Sequence, residues 1–178
     1  MKRVWIGLVN TYDVKRLHEI HVRTIARAAP LCYAYGLNLL LVGFPLDRDE
    51  VMKINTTIGH SGLYLNKLMR ENRFLMLHDH DKFPAQLGYI ISTTSHPQNE
   101  KRIGINDLKC LMMDKNVTLL VGLGRKGLPA KIIDRTNYHL ELTGKDIPLE
   151  TCTVFGVIAY MVDTLQREDS PEASEDNL

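Results

Sequence analysis

The chain has 178 residues, of which 44% are hydrophobic and 24% charged, the make-up expected of one globular domain with its own buried core. No apolar run nears the roughly 20 residues of a membrane helix, and the apolar stretch after Lys2-Arg3 is too short for a signal peptide, so a cytoplasmic protein is expected. The net charge is only +1, but residues 168–178 hold five of the 21 acids and no base, which leaves 22 bases against 16 acids in the rest. Such a body tolerates a polyanionic partner. The expected organisation is one domain over residues 1–167 and a disordered acidic tail over 168–178. Cys32, Cys110 and Cys152 are far apart and form no Cys-x-x-Cys, so they predict neither a disulfide framework nor a zinc site.

In chain order, residues 3–9 are apolar and β-prone and predict a buried strand. Residues 14–35 have helical spacing, with Leu17, Ile20, Thr24, Ala28 and Leu31 on one inward face and Gly36 as the stop. A second strand is expected over 38–42. One or two helices follow over 47–70, broken near Gly59 and Gly62. Strands at 74–77 and 89–92, a helix over 107–113 and a strand over 117–121 come next. A short helix over 129–134, a sixth strand over 138–142 and a last helix over 151–165 complete the domain. Strands alternating with helices predict an α/β fold: a single domain with a mostly parallel six-stranded sheet and helices on both faces.

The most specific local feature is Gly122-Leu123-Gly124-Arg125-Lys126-Gly127-Leu128-Pro129, between a strand and a helix. It satisfies G-x-G-x-x-G, and Glu141 lies about 20 residues on, as a dinucleotide's ribose contact would require. A dinucleotide fold, however, carries this loop after its first strand, and too little chain follows Gly127 to finish such a sheet. The NAD(P)-binding reading is therefore the minor one.

The same stretch resembles the C-terminal signature of the SPOUT (knotted, SpoU/TrmH-like) methyltransferases, and the overall pattern resembles an archaeal family of unassigned function within that class. Gly122, Gly127, Leu128 and Pro129 match the first signature loop, Leu140-Glu141-Leu142 the following strand, residues 143–150 the second loop, and Thr151-Cys152-Thr153-Val154 the opening of the last helix. Towards the front, Arg27 matches the arginine of the first motif, with His21 where that motif has asparagine and Arg23 where it has glycine. The resemblance implies a C-terminal trefoil knot, S-adenosylmethionine as cofactor, an RNA substrate (tRNA or rRNA) and a homodimer. It implies cofactor contacts at Ser92, Thr93, Gly122, Leu123, Gly124, Gly127, Leu142, Gly144, Ile147, Thr151, Cys152 and Thr153, and Arg27 at the acceptor site. Glycine suits loops that grip a neutral nucleoside through backbone groups, because nothing blocks close approach. Two positions depart from the ribose-methylating branch: Gly124 replaces a glutamate, and Thr151 and Thr153 replace Ser-x-Asn. They leave open ribose 2′-O or base methylation, and also a catalytically silent module that binds RNA or protein.

Arg16, Arg23 and Arg27, if all on one helix, fall within ~20° of one line over ~16 Å, a pitch suited to successive phosphates. Arg125 and Lys126 add charge beside the glycine loop and complete the expected RNA contacts. His78-Asp79-His80-Asp81 reads as a polar loop rather than a metal site, and His139 as a structural histidine inside a strand.

Overall fold

A computed structural model describes residues 2–78, 82–124 and 126–168. The strands are β1 (Val4–Asn10), β2 (Asn38–Val42), β3 (Phe74–Leu77), β4 (Tyr89–Thr93), β5 (Arg102–Ile103), β6 (Val117–Leu123) and β7 (Tyr138–Leu140). The helices are α1 (Glu19–Ala34), α2 (Arg48–Thr57), α3 (His60–Arg70), α4 (Ile105–Asp114), α5 (Ala130–Ile133) and α6 (Thr151–Glu168). The strands form one sheet in the order β3-β2-β1-β6-β4-β7-β5, and every pairing is parallel. The sheet thus has seven strands rather than six. The addition is the two-residue edge strand β5, which is too short to show any periodicity in sequence.

The strand order explains how the helices are distributed. Parallel crossovers are right-handed, so connections that step one way along the sheet cover one face and those that step back cover the other. The steps β1→β2→β3 and β5→β6 run in one direction. Accordingly α1, α2, α3 and α4 bury Ile25, Val51, Leu65 and Leu108 in the same cluster as Ile6 and Leu8 of β1, and α6 adds Phe155 and Ile158. The steps β3→β4 and β6→β7 run the other way. They cover the face of Trp5, Val9 and Leu40 with Phe83, Leu87, Leu128 and the one-turn α5, through Ile132. Adjacent residues of β1 serve opposite clusters because side chains alternate along a strand.

Helix α1 departs from its expectation. It starts at Glu19, because residues 11–18 form a loop held by polar contacts: Asp13 accepts from the Lys15 and Arg16 amides, and His18 Nε2 lies 2.7 Å from Asp13 Oδ2. Arg16 is therefore off the helix, and the three-arginine line does not form. The buried face is His21, Thr24, Ile25, Ala28, Ala29 and Cys32, while Leu17 and Ile20 are exposed. Gly36 ends the chain segment after α1 in the left-handed region (φ +66°), as the sequence indicates. Gly62 does not break a helix. It lies within α3, where a β-carbon would overlap the Asn55 carbonyl of α2. The last helix extends to Glu168, which therefore belongs to α6 rather than to the expected tail, and residues 169–178 lie outside the described residues.

Candidate functional site

β1 and β6 are neighbours from which the chain departs in opposite directions across the sheet, which makes their carboxyl ends a topological switch point. Asn10 of β1 stands beside Leu123 of β6 there, and Thr93 of β4 beside Leu140 of β7. Outside these ends lies a cleft of about 1000 Å³. One wall is α1, through Ile20, Arg23, Thr24 and Arg27. The floor is the end of β6, through Gly122 and Leu123, and the loop after it, through Gly124 and Gly127. The opposite wall comes from the loop after β7, through Leu142, Ile147 and Leu149, and from the start of α6, through Thr151 and Cys152; Thr93 to His96 close one end.

The glycine loop is shaped by backbone demands. A β-carbon on Gly122 would overlap the Gly127 carbonyl group, so the loop doubles back on its own strand only with glycine at 122. Gly124 and Gly127 have φ of +104° and +63°, which favours glycine at both. Thr151 ties the start of α6 to this loop: its hydroxyl donates to Gly122 O (3.0 Å) and accepts from the Gly124 amide (3.4 Å). Thr11 anchors the other flank by donating to Leu123 O. Glu150 caps α6, its carboxylate accepting from the Cys152 (2.8 Å) and Thr153 (3.3 Å) amides.

Arg27 reaches from α1 across to α6, with Nη1 3.4 Å from Cys152 Sγ. The sulfur contact, and the charge of Glu150 behind it, push the guanidinium pKa further up. Arg23 is paired with Glu19 one turn earlier (2.8 Å). Glu141 faces the cleft, but its oxygens are already used: they accept from the Thr143 amide (2.9 Å), the Thr143 hydroxyl (2.6 Å) and the Gly144 amide. Burial would raise this carboxyl's pKa, and those hydrogen bonds together with nearby Arg102 hold it lowered instead.

Nine of the twelve expected cofactor residues line the cleft: Thr93, Gly122, Leu123, Gly124, Gly127, Leu142, Ile147, Thr151 and Cys152. The other three do not. Ser92 is fully buried and accepts from Thr136, Gly144 turns the loop beyond Glu141, and Thr153 is exposed on α6. Of the expected RNA contacts, Arg23 and Lys126 line the cleft beside Arg27, Arg16 does not, and Arg125 lies outside the described residues. Asp79, His80 and Asp81 of the polar loop also lie outside them. His139 is structural: Nδ1 accepts from the Gln98 amide (3.1 Å) and Nε2 donates to Ile133 O (2.9 Å). The sequence reading missed Glu150, Thr94, Ser95 and His96. None carried a signal that capping rules could have found, since those rules look for Ser, Thr, Asp or Asn before a helix and position 150 is Glu.

The chain matches, over residues 4–163, the family described as protein of unknown function (DUF531). It belongs to this family. It is also 45% identical over 162 residues to the uncharacterized protein MJ0224 of Methanocaldococcus jannaschii, covering 91% of this chain and 94% of that one. Among solved structures, it superposes on the one described as giving structural insights into the 2-OH methylation of C/U34 on tRNA, with TM-score 0.60, 15% identity and coverage of 93% and 98% of the two chains. It superposes as well on the SpoU methyltransferase AviRb of Streptomyces viridochromogenes in complex with AdoMet, with TM-score 0.57 and 14% identity, over 96% of this chain but 60% of that one. The fold is that of the SpoU/TrmH-type SPOUT methyltransferases.

Proposed function

We propose that this protein is an S-adenosylmethionine-dependent RNA methyltransferase. The observation that carries the reading is the cleft at the switch point, where a glycine-built floor, an apolar wall and an arginine on α1 meet. Its volume of about 1000 Å³ suits a nucleoside with an amino-acid arm, and Leu142, Ile147 and Leu149 offer an apolar surface to a purine. The residues fit the cofactor: Gly122, Gly124, Gly127 and Leu123 would hold it from below, and Leu142, Ile147, Thr151 and Cys152 from the side. When bound, S-adenosylmethionine supplies an activated methyl group, which leaves the protein to position the acceptor. Arg23, Arg27 and Lys126 give the cleft the positive charge that phosphates need. Arg27 reaches the start of α6 and would orient the acceptor nucleotide or its phosphate. The likeness to a structure concerned with tRNA methylation supports tRNA or rRNA as substrate; the trefoil knot and a cytoplasmic location belong to the same proposal. Exposed Val157 and Tyr160 on α6 support a homodimer, which light scattering would detect as a doubled mass.

The nicotinamide reading loses its two supports. The loop leads into a four-residue helix, which offers a pyrophosphate no extended helix N-terminus, and the Glu141 carboxylate is spent within its own turn. The silent-module reading keeps one: Thr151, at the position of the family's serine, is committed to holding the loop rather than an acceptor.

The test is transfer of a tritiated methyl group to RNA from cells that lack the protein. Turnover by the native chain, and a loss of about 100-fold or more with Arg27→Ala at unchanged cofactor affinity, is expected for a group that holds the acceptor in the transition state. Cofactor binding without transfer to any RNA would favour the silent module.

A further inference from the structure

Methylation of a hydroxyl or an N–H requires a group that takes the proton, and the cleft narrows the choice. Its titratable side chains among the described residues come from α1, the loops after β4, β6 and β7, and the start of α6. On α1, Glu19 is paired with Arg23, and Arg23 and Arg27 are permanently charged donors. Lys126 on the glycine loop is a cation. Beyond β7, Glu141 is held ionised by three hydrogen bonds, which makes it a weak base, and Glu150 caps α6 through Oε2. Cys152 faces the Arg27 guanidinium. His96, just after β4, is the one imidazole among the described residues that line the cleft.

Its setting is that of an oriented imidazole. The backbone is fixed by the Thr94 amide bonded to Leu140 O (3.1 Å) and by the His96 amide donating to Thr94 Oγ1 (3.2 Å), with Pro97 next in sequence. The ring's Nδ1 lies 2.9 Å from Ser95 Oγ. No described residue hydrogen-bonds Nε2, and both Ser95 and His96 line the cleft. An imidazole held by a neighbour at one nitrogen and open at the other is the arrangement a general base needs.

We propose that His96 is the proton acceptor for methyl transfer, with Ser95 as its positioning residue; this rests on the methyltransferase reading above. In this role Nδ1–H donates to Ser95 Oγ, which leaves the Nε2 lone pair free to take the proton. As the acceptor's oxygen or nitrogen bonds to the methyl carbon, the carbon–sulfur bond breaks with its electron pair going to sulfur. The acceptor's proton passes to Nε2 and then, because His96 is exposed, to solvent. The acceptor is thereby of the class that carries a proton to lose, a hydroxyl or an N–H, and not a ring nitrogen that attacks through a bare lone pair.

Two measurements on the full chain test this. Nitrogen-15 shifts of His96 in the presence of S-adenosylhomocysteine report the tautomer and whether filling the cleft is felt at the ring. The expected result is Nδ1–H with shifted resonances; an Nε2–H tautomer, or resonances that do not move while the ligand is bound, overturns the proposal. Methyl transfer to RNA from cells lacking the protein is compared for the native chain and His96→Gln. The expected result is a loss of about 100-fold in kcat together with loss of the acid limb of the pH profile, at cofactor affinity within about twofold. A native rate with an unchanged pH profile in His96→Gln overturns it. Failure of the native chain to bind S-adenosylhomocysteine at all would instead overturn the methyltransferase reading on which it stands.

Discussion

At the scale of single residues, Gly122 and His21 show how little freedom the cleft allows its frame. Any side chain at Gly122 meets the Gly127 carbonyl group, and backbone cannot swing aside as the tip of a side chain would. Gly122→Ala is expected to lower stability by about 1–3 kcal/mol, the usual range for overpacking, and to weaken S-adenosylmethionine binding through a displaced loop. Denaturant unfolding and titration calorimetry on the variant check both. His21 is fully buried at the foot of α1, where Nδ1 accepts from the His18 amide (2.9 Å) and Nε2 donates to Asn10 Oδ1 (3.1 Å). That network suits the neutral ring. Burial lowers the His21 pKa, the neighbouring His18 lowers it further, and Asp13 opposes them. A lowered pKa means that the unfolded chain takes up the proton first as pH falls. The associated stability is therefore complete above the ordinary value of 6.5 and is lost as pH drops below it towards the folded value. Melting temperature measured from pH 8 to 5 should fall below about 6.5 for the native protein, and less steeply for His21→Gln. Equal slopes would count against this account.

At the scale of elements, the strands were readable and the joints less so. The apolar runs of β1, β2 and β6 are unmistakable in sequence because both of their faces are buried. The glycine loop was readable because backbone demands leave a glycine signature. The start of α1 was not, since it is set by Asp13, His18, His21 and Asn10 meeting across a loop, and the apolar residues Leu17 and Ile20 mimic an inward face while lying exposed. Nor could spacing reveal Ser95 and His96, which reach the cleft only because β4 sits between β6 and β7. The corrected start of α1 has a consequence for RNA. Arg23 lines the cleft and Arg16 does not, so, on the proposed function, only Arg23→Ala is expected to reduce the salt dependence of RNA binding, by about one unit of slope, while Arg16→Ala leaves it near native. Binding titrations over a range of salt concentrations distinguish the two; equal effects would mean that RNA contacts the 11–18 loop as well.

At the scale of the molecule, the strand order is the organising fact. Two sets of crossovers run apart from β1 and β6, load one face with the long helices, and leave the carboxyl ends of four neighbouring strands open to a ligand. The family match spans residues 4–163, and the overall fold is shared with SpoU-type methyltransferases. What decides the account is whether the cleft takes the nucleoside its glycines suit. The direct measurement is titration calorimetry of the purified protein with S-adenosylmethionine, alongside NADH and NADPH. Saturable binding of S-adenosylmethionine alone, weakened in Gly122→Ala, is the predicted result. Binding of a nicotinamide cofactor in its place, or of none of the three, would contradict it.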